Sequence, residues 1–446
     1  MNIALISEHA SPLATPGGVD CGGQNVYVAH VAAELARAGH RVDVFTRRDH
    51  PAQPEVVAAE PGLLPPRMRV IHVPAGPARF VPKEELLPLM PAFCEAIAGF
   101  VRKGAARLSC AGSGGTRLEA ALPAIGPAYD VVHANFFMSG MAAQRLRDLH
   151  GIPFVITFHA LGKVRRRFQG KADAFPPQRI AIEEQLVAGA DRVIAECPCD
   201  RDDLVELYGA ERERVEVVPC GFDPDELKPG DRSLRAELGL SDADFVVLQL
   251  GRLVPRKGID NVVRAMAELK RRHGIAATLL IVGGESDRPD AALTPEIGRL
   301  ALIAAEEGVS GQVRFAGRQP RHRLRDFYSA ADVFVSTPWY EPFGITPLEA
   351  MACACPVVGA AVGGIQYSVV DGVTGFLVPP KDPIQLADRL ARLQRDSELR
   401  RSFGQRGLRR VRRHFTWRLV AAELARVYRD VAAAPEHAVM ERRAQA

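Results

Sequence analysis

Short apolar runs alternate with helix-length amphipathic segments along this chain, and the alternation restarts after residue 219. NIALISEH reads as a strand. VYVAHVAAELARAG places Val28, Val31, Leu35 and Ala38 at helical spacing and stops at Gly39, and RVDVFTRR resumes as a strand. YDVVHA, IPFVITFH, DRVIAE and RVEVVP continue the series. The second half offers six strand candidates, FVVLQLGR, ATLLIVGG, VRFAG, VFVST, CPVVGA and GFLVP, with helical patterns such as GIDNVVRAMAELKRRHG between most of them. Strands joined through helices pair in parallel, and the helices cover both faces of the sheet. The expected fold is therefore α/β, with two doubly wound Rossmann-like domains facing across a cleft.

Length agrees. At 446 residues the chain exceeds the size at which one core stops growing, so two domains of roughly 200 residues each are expected. They divide as 1–219 and 220–415, with the Asp-, Pro- and Gly-rich CGFDPDELKPGD (220–231) as the linker. FTWRLVAAELARVYRDV carries apolar residues at 415, 419, 420, 424, 427 and 431, so a helix over 416–432 needs a partner surface. The tail 433–446 reads as disordered, and residues 103–127 as a surface loop inserted between two helices.

A formal net charge of only +4 excludes a broadly basic surface for nucleic acid, so any anion site must be local. No stretch approaches the ~20 apolar residues of a membrane span, and the first residues lack a basic region before their apolar run. A soluble, cytoplasmic protein is expected. Eight cysteines, with Cys197/Cys199 and Cys353/Cys355 as C-x-C pairs, fit neither a disulfide framework nor a zinc pattern, and read as small buried residues. Asp242 and Asp244 form a D-x-D before a strand, the wrong end of a sheet for a metal, and read as a turn; Asp200, Asp202 and Asp203 read as an acidic helix start.

Three stretches carry chemistry. GGQN (22–25) opens a helix, where glycines let backbone approach a ligand and free N–H groups favour an anion. It is not G-x-G-x-x-G, which lowers the nicotinamide-dehydrogenase reading. In GRLVPRKG (251–258), Arg252 and Lys257 leave a strand end together and suit a diphosphate, one as a planar fork and the other as a point charge. In EPFGITPLE (341–349), two glutamates stand eight positions apart around a helix start, so their carboxylates flank the amides of Gly344, Ile345 and Thr346. Such carboxylates suit polyols. Each stretch also has a plain structural reading, as a turn, as solvated loop cations, or as charges complementing a helix dipole.

Together with HANFFMSG (133–140) and TFHALGKV (157–164), these motifs resemble the retaining GT-B glycosyltransferases of family 4, or group 1, which include sucrose-phosphate synthase, sucrose synthase and inositol-phosphate N-acetylglucosaminyltransferases. The resemblance spans nearly the whole chain. It implies a GT-B fold whose final helix returns to the first domain, which takes the acceptor while the second takes the donor. Glu349 would bind the nucleotide ribose and Glu341 the transferred sugar, helped by amides from Phe343 to Thr346. Arg252 and Lys257 would neutralise the diphosphate, Arg318 would lie against the base, His159 would sit by the transferred sugar, and Gly22 and Gly23 would bring backbone to the donor phosphates.

On the acceptor side the resemblance implies Gln24, Asn25, Lys83 in GPARFVPKEEL, Lys163 and Arg179. The implied reaction moves a hexosyl group from a nucleotide diphosphate sugar, UDP-glucose favoured, to a phosphorylated sugar or cyclitol, with no cofactor and no metal at the donor site. An acceptor linked to lipid or cell-envelope glycan is the alternative, because Arg409, Arg410, Arg412 and Arg413 could touch anionic head groups, although a solvated helix face accounts for them better. Outside transferases, an epimerase or hydrolase would explain the architecture but not the acceptor cations, and a non-catalytic binding protein would not need both His159 and Glu341.

Overall fold

A computed structural model describes residues 1–14, 22–60, 62–110 and 129–433. Among the described residues, fourteen strands form two sheets. The first holds β1 (Asn2–Ile6), β2 (Arg41–Arg47), β3 (Val56–Val57), β4 (Met68–Val73), β5 (Val131–Asn135), β6 (Phe154–Thr157), β7 (Arg192–Ala195) and β8 (Val215–Val217), in the order β3-β4-β2-β1-β5-β6-β7-β8. The second holds β9 (Val246–Leu250), β10 (Thr278–Val282), β11 (Val313–Phe315), β12 (Val333–Ser336), β13 (Val357–Ala360) and β14 (Gly375–Val378), in the order β11-β10-β9-β12-β13-β14. All six expected strands of the second half are present, and every pair in that sheet is parallel.

The strand orders position the site. Beyond β1 the chain steps to β2 on one side and later to β5 on the other; β10 and β12 flank β9 in the same way. At such a switch point the two following helices lie on opposite faces and leave a crevice at the carboxyl ends of the strands. The crevice beyond β1 and β5 meets the one beyond β9 and β12, because a single cavity is lined by His9, Gly22 and Phe136 from one half and by Arg252 and Glu341 from the other.

Three expectations need correction. The first sheet is not wholly parallel: MRVIHV, not singled out in the sequence, forms β4, and the two-residue β3 pairs with it antiparallel as an edge. Helix Met90–Cys110 runs through the beginning of the stretch read as a loop over 103–127. The rest of that stretch, and the tail from 434, lie outside the described residues. In the final helix, Trp417–Ala433, Leu419 is exposed; Trp417, Val420, Leu424, Val427, Tyr428 and Val431 form the buried stripe.

That stripe packs on helix Gly23–Arg37, where Trp417 stacks on His30 at 5.3 Å and the Tyr428 hydroxyl meets Nδ1 of His133 inside the first half. The two chain segments that cross between the halves are joined where Phe222 N donates to Phe415 O at 2.8 Å and Trp417 N donates to Phe222 O at 3.1 Å. In helix Ser397–His414, Val411 faces the core, as does Phe415 just beyond it, and Arg410 donates to the carbonyls of Tyr367 and Ser368, so the exposed Arg409, Arg412 and Arg413 have no apolar stripe beside them. Among the described residues no helix is long and apolar enough to cross a membrane.

Candidate active site

Lys257 ends a short turn, Pro255–Lys257, whose direction is set by Gly258 at φ 64. The Gly258 carbonyl accepts from the Thr337 hydroxyl at 3.0 Å, which ties the loop after β9 to the loop after β12. Lys257 consequently meets Glu341: its ammonium donates to Glu341 Oε2, and Arg256 Nη1 lies 3.6 Å from the same oxygen. Burial alone pushes the Glu341 carboxyl up, but Lys257, Arg256 and Arg252 together outweigh it and hold the group below the usual glutamate range. Burial pulls the Lys257 ammonium down, with Glu341 opposing.

Helix Ile345–Ala352 starts after Gly344, at φ 91, with no side-chain cap. Gly344, Ile345 and Thr346 at its start line the cavity, and a helix N-terminus is a fixed positive end for an anion. Glu349 lies one turn in and is 3% exposed; Oε1 accepts from Arg321 Nη1 at 3.2 Å and Oε2 from the Tyr328 hydroxyl at 2.9 Å. Across the cleft, a side chain built on Gly22 would begin 3.6 Å from the Arg252 guanidinium carbon, and one on Gly23 the same distance from Ile345. The glycine pair thus lets the two walls approach.

His159 holds φ 57, a left-handed conformation that costs a non-glycine residue about 1–3 kcal/mol and is retained where the surroundings fix it. Glu196 Oε1 lies 2.9 Å from its Nδ1 and Asn135 Oδ1 3.0 Å from its Nε2, with Tyr27 edge-on at 4.8 Å. Phe136, at φ 87, presents its ring to the same cavity.

The cavity holds about 320 Å³, the lower end of small-molecule sites. Its lining includes every residue assigned from the sequence except Lys163. Helix Gly162–Gln169 turns that side chain outward, where it donates to Leu207 O, pairs with Glu184 at 2.6 Å and lies over the Tyr208 ring. Lys163 is therefore not brought to the cavity. Asn25 reaches the wall but is committed to structure: it accepts from Gly22 N at 3.0 Å and donates to Ser11 O at 3.1 Å. Gln24 donates to Ser7 Oγ and Asn135 O.

Arg179 lines the cavity at 2% exposure, paired with Glu183 at 2.7 Å and enclosed by Phe136, Phe137 and Phe175. Arg318 stands near the rim, 3.4 Å from Asp287. Among the described residues, eight Lys or Arg and four Glu line the cavity, an excess that favours an anionic ligand. Asp244 accepts from Ser241 N in the turn before β9, away from the cavity, and the described cysteines are free.

The family described as Glycosyl transferases group 1 matches residues 231–410, and the Glycosyl transferase 4-like domain matches residues 22–221. Relatives agree over the whole length. The D-inositol 3-phosphate glycosyltransferase of Nocardia farcinica is 39% identical over 96% of this chain and 88% of its own, and that of Corynebacterium efficiens 36% identical over 100% and 99%. The chain is a GT-B glycosyltransferase of group 1. Among solved structures, sucrose-phosphate synthase from Thermosynechococcus elongatus superposes with a TM-score of 0.81 at 32% identity, covering 97% of this chain and 100% of that one. The HepE structure from Anabaena, in complex with UDP and glucose, is 20% identical at a TM-score of 0.70 over 96% of this chain and 100% of that one, a likeness of fold.

Several lining residues of the glycosyltransferase were not anticipated. His9 is held by Glu8, whose Oε1 lies 2.7 Å from His9 Nδ1 and whose backbone N–H and Oε2 both engage Ser139 Oγ. Glu196 holds His159, Arg256 and Arg321 hold the two glutamates, and Tyr340 stacks on Phe168 at 5.1 Å across the cleft. The available signal was position: Glu8, Glu196 and Gly251 stand just beyond β1, β7 and β9, at the binding edge of their sheets.

Proposed function

We propose that this chain moves a hexosyl group, with retention of anomeric configuration, from a nucleotide diphosphate sugar to a hydroxyl of an inositol phosphate or a related sugar phosphate, with UDP-glucose the favoured donor. Residues 220–415 hold the donor in this proposal and residues 1–219 the acceptor. One observation carries it: Gly344, Ile345 and Thr346, at a helix start, line one cavity together with Arg252, Lys257, Glu341 and Glu349.

As the bond from C1 to the leaving phosphate oxygen breaks, negative charge grows on the diphosphate. Preorganised cations and amides outside bulk water stabilise that charge, so the donor site needs no metal. The acceptor oxygen bonds to C1 on the face the diphosphate leaves, and its proton passes to a donor phosphate oxygen. Glu341 is bound up in its pair with Lys257, which suits a group that orients sugar hydroxyls and not a nucleophile. The acceptor class follows the names of the relatives and the presence of Lys83, Arg165 and Arg179 at the first-half wall.

Incubation of the purified protein with UDP-glucose and UDP-N-acetylglucosamine, each with and without D-inositol 3-phosphate in EDTA, tests this. Release of UDP that requires the inositol phosphate, with an α-linked product by NMR, is expected. Equal release without acceptor would replace the proposal with a hydrolase, and a β-linked product would remove retention.

A further inference from the structure

Arg321 opens helix Arg321–Ala330, the end of a helix at which the macrodipole disfavours a cation. Its guanidinium is drawn inward nonetheless. Nε donates to Glu226 Oε2 at 2.6 Å, and Nη1 donates to Glu349 Oε1 at 3.2 Å. Nη2 is buried and has no hydrogen-bond partner among the described residues. Buried donors are nearly always paired, so this one marks a position that a ligand atom completes.

Arg321 and Glu349 line the same part of the cleft. Glu349 already accepts from Arg321 and from Tyr328, one hydrogen bond at each oxygen, and an ionised carboxylate has lone pairs to spare. The pair therefore offers an acceptor and a donor side by side. A vicinal diol is the complementary surface: one hydroxyl donates to the carboxylate while the oxygen of its neighbour accepts from the guanidinium.

We infer that Arg321 is a specificity residue for the ribose of the donor nucleotide, its Nη2 donating to one ribose hydroxyl oxygen while Glu349 accepts from the other hydroxyl. The inference rests on the reading of Glu349 as the ribose-binding residue and adds a second group that touches the sugar. It follows that a 2′-deoxynucleotide leaves buried polar groups unmatched, which is how a polar site rejects an analogue that lacks a hydroxyl.

The test is calorimetric binding of UDP, ADP and GDP and their 2′-deoxy forms to the full chain, wild type and Arg321→Gln, with Arg321→Lys as a second variant that keeps the charge but not the fork. Wild type is expected to prefer the ribonucleotide. Arg321→Gln should lower that preference about tenfold by weakening the ribonucleotide alone, and Arg321→Lys should fall between. Equal weakening of both forms, or an unchanged preference, overturns the inference. If Glu349→Gln removes the preference and the Arg321 variants do not, Arg321 has no part in it and the role of Glu349 stands. If no nucleoside diphosphate binds wild type, both fall together. Ligand-free melting of each variant separates a folding defect from lost recognition, and should Arg321→Gln not fold, Arg321→Lys carries the same comparison.

Discussion

Lys257 and Glu341 pair across the switch point of the second sheet, each the main ionic partner of the other in a cleft wall that leaves them 18% and 11% exposed. The folded state holds Glu341 below its ordinary value of 4.5, so its contribution to stability is present above about pH 4.5 and lost as pH falls through the lower folded value. Lys257→Met reverses the sign: the carboxyl, left buried without its main cation, titrates higher, and stability is lost as pH rises. The difference in melting temperature between wild type and Lys257→Met should be larger at pH 7.5 than at pH 4.5. The loss of unfolding free energy at neutral pH should be about 3 kcal/mol, the cost of breaking a buried pair. Equal differences at the two pH values would refute the coupling.

Glu341→Gln keeps the shape of the side chain and removes the charge. If Glu341 orients the transferred sugar, kcat/KM should fall by about 10²-fold, mostly in kcat, while affinity for UDP without sugar stays within about threefold. Unchanged turnover would remove Glu341 from the site.

His159 is aimed by Glu196 and Asn135 at opposite nitrogens. Replacing Glu196 with Gln leaves the ring one acceptor instead of a carboxylate and should reduce kcat about tenfold with little effect on donor KM. A change confined to KM would assign Glu196 to binding.

Beside that pair, burial and then the Glu196 charge push the Asp200 carboxyl up from 3.8 to about 8. A raised acid is stabilising below its unfolded value, and the contribution is lost as pH rises from about 4 through 8. Asp200→Asn can still accept from Glu196 N, the bond Asp200 makes at 2.9 Å. The variant should match wild type near pH 4 and melt higher by at least about 4 °C at pH 8.5; a lower melting temperature at pH 8.5 would show that the ionised form is the native one.

Gly258→Ala tests how the Lys257 turn is built. A Cβ there would strike the Thr337 carbonyl oxygen while adopting φ 64. Loss of roughly 2–4 kcal/mol is expected from strain and displacement, with UDP affinity falling alongside stability because Lys257 moves.

Much of this arrangement could be read from the chain because it depends on local order. A strand, a loop and a helix start are consecutive in VFVSTPWYEPFGITPLE, so Glu341, the amides and Glu349 were placed by spacing alone. The same holds for GRLVPRKG after β9. Groups that act at a distance stayed hidden. Glu196 is 37 residues from His159, and Arg321 is 95 from Glu226, so only the fold brings them together. Lys163 was misplaced because one turn of helix Gly162–Gln169 decides which way a side chain points: Val164 packs against the core and Phe168 stacks on Tyr340, and Lys163 is left to pair with Glu184.

The return of helix Trp417–Ala433 to helix Gly23–Arg37 has a consequence for biosynthesis. Tyr27 is buried against Trp417, and His133 against Tyr428, so the first half is completed by residues made 390 and 295 positions later. At about 5–20 residues per second, a ribosome leaves that surface uncovered for roughly 20–80 s while the second half is made. The emerging chain is therefore most open to misassembly in its earliest part, and a chaperone that shields the outer face of Gly23–Arg37 during that interval would raise the yield of folded enzyme without touching the cleft.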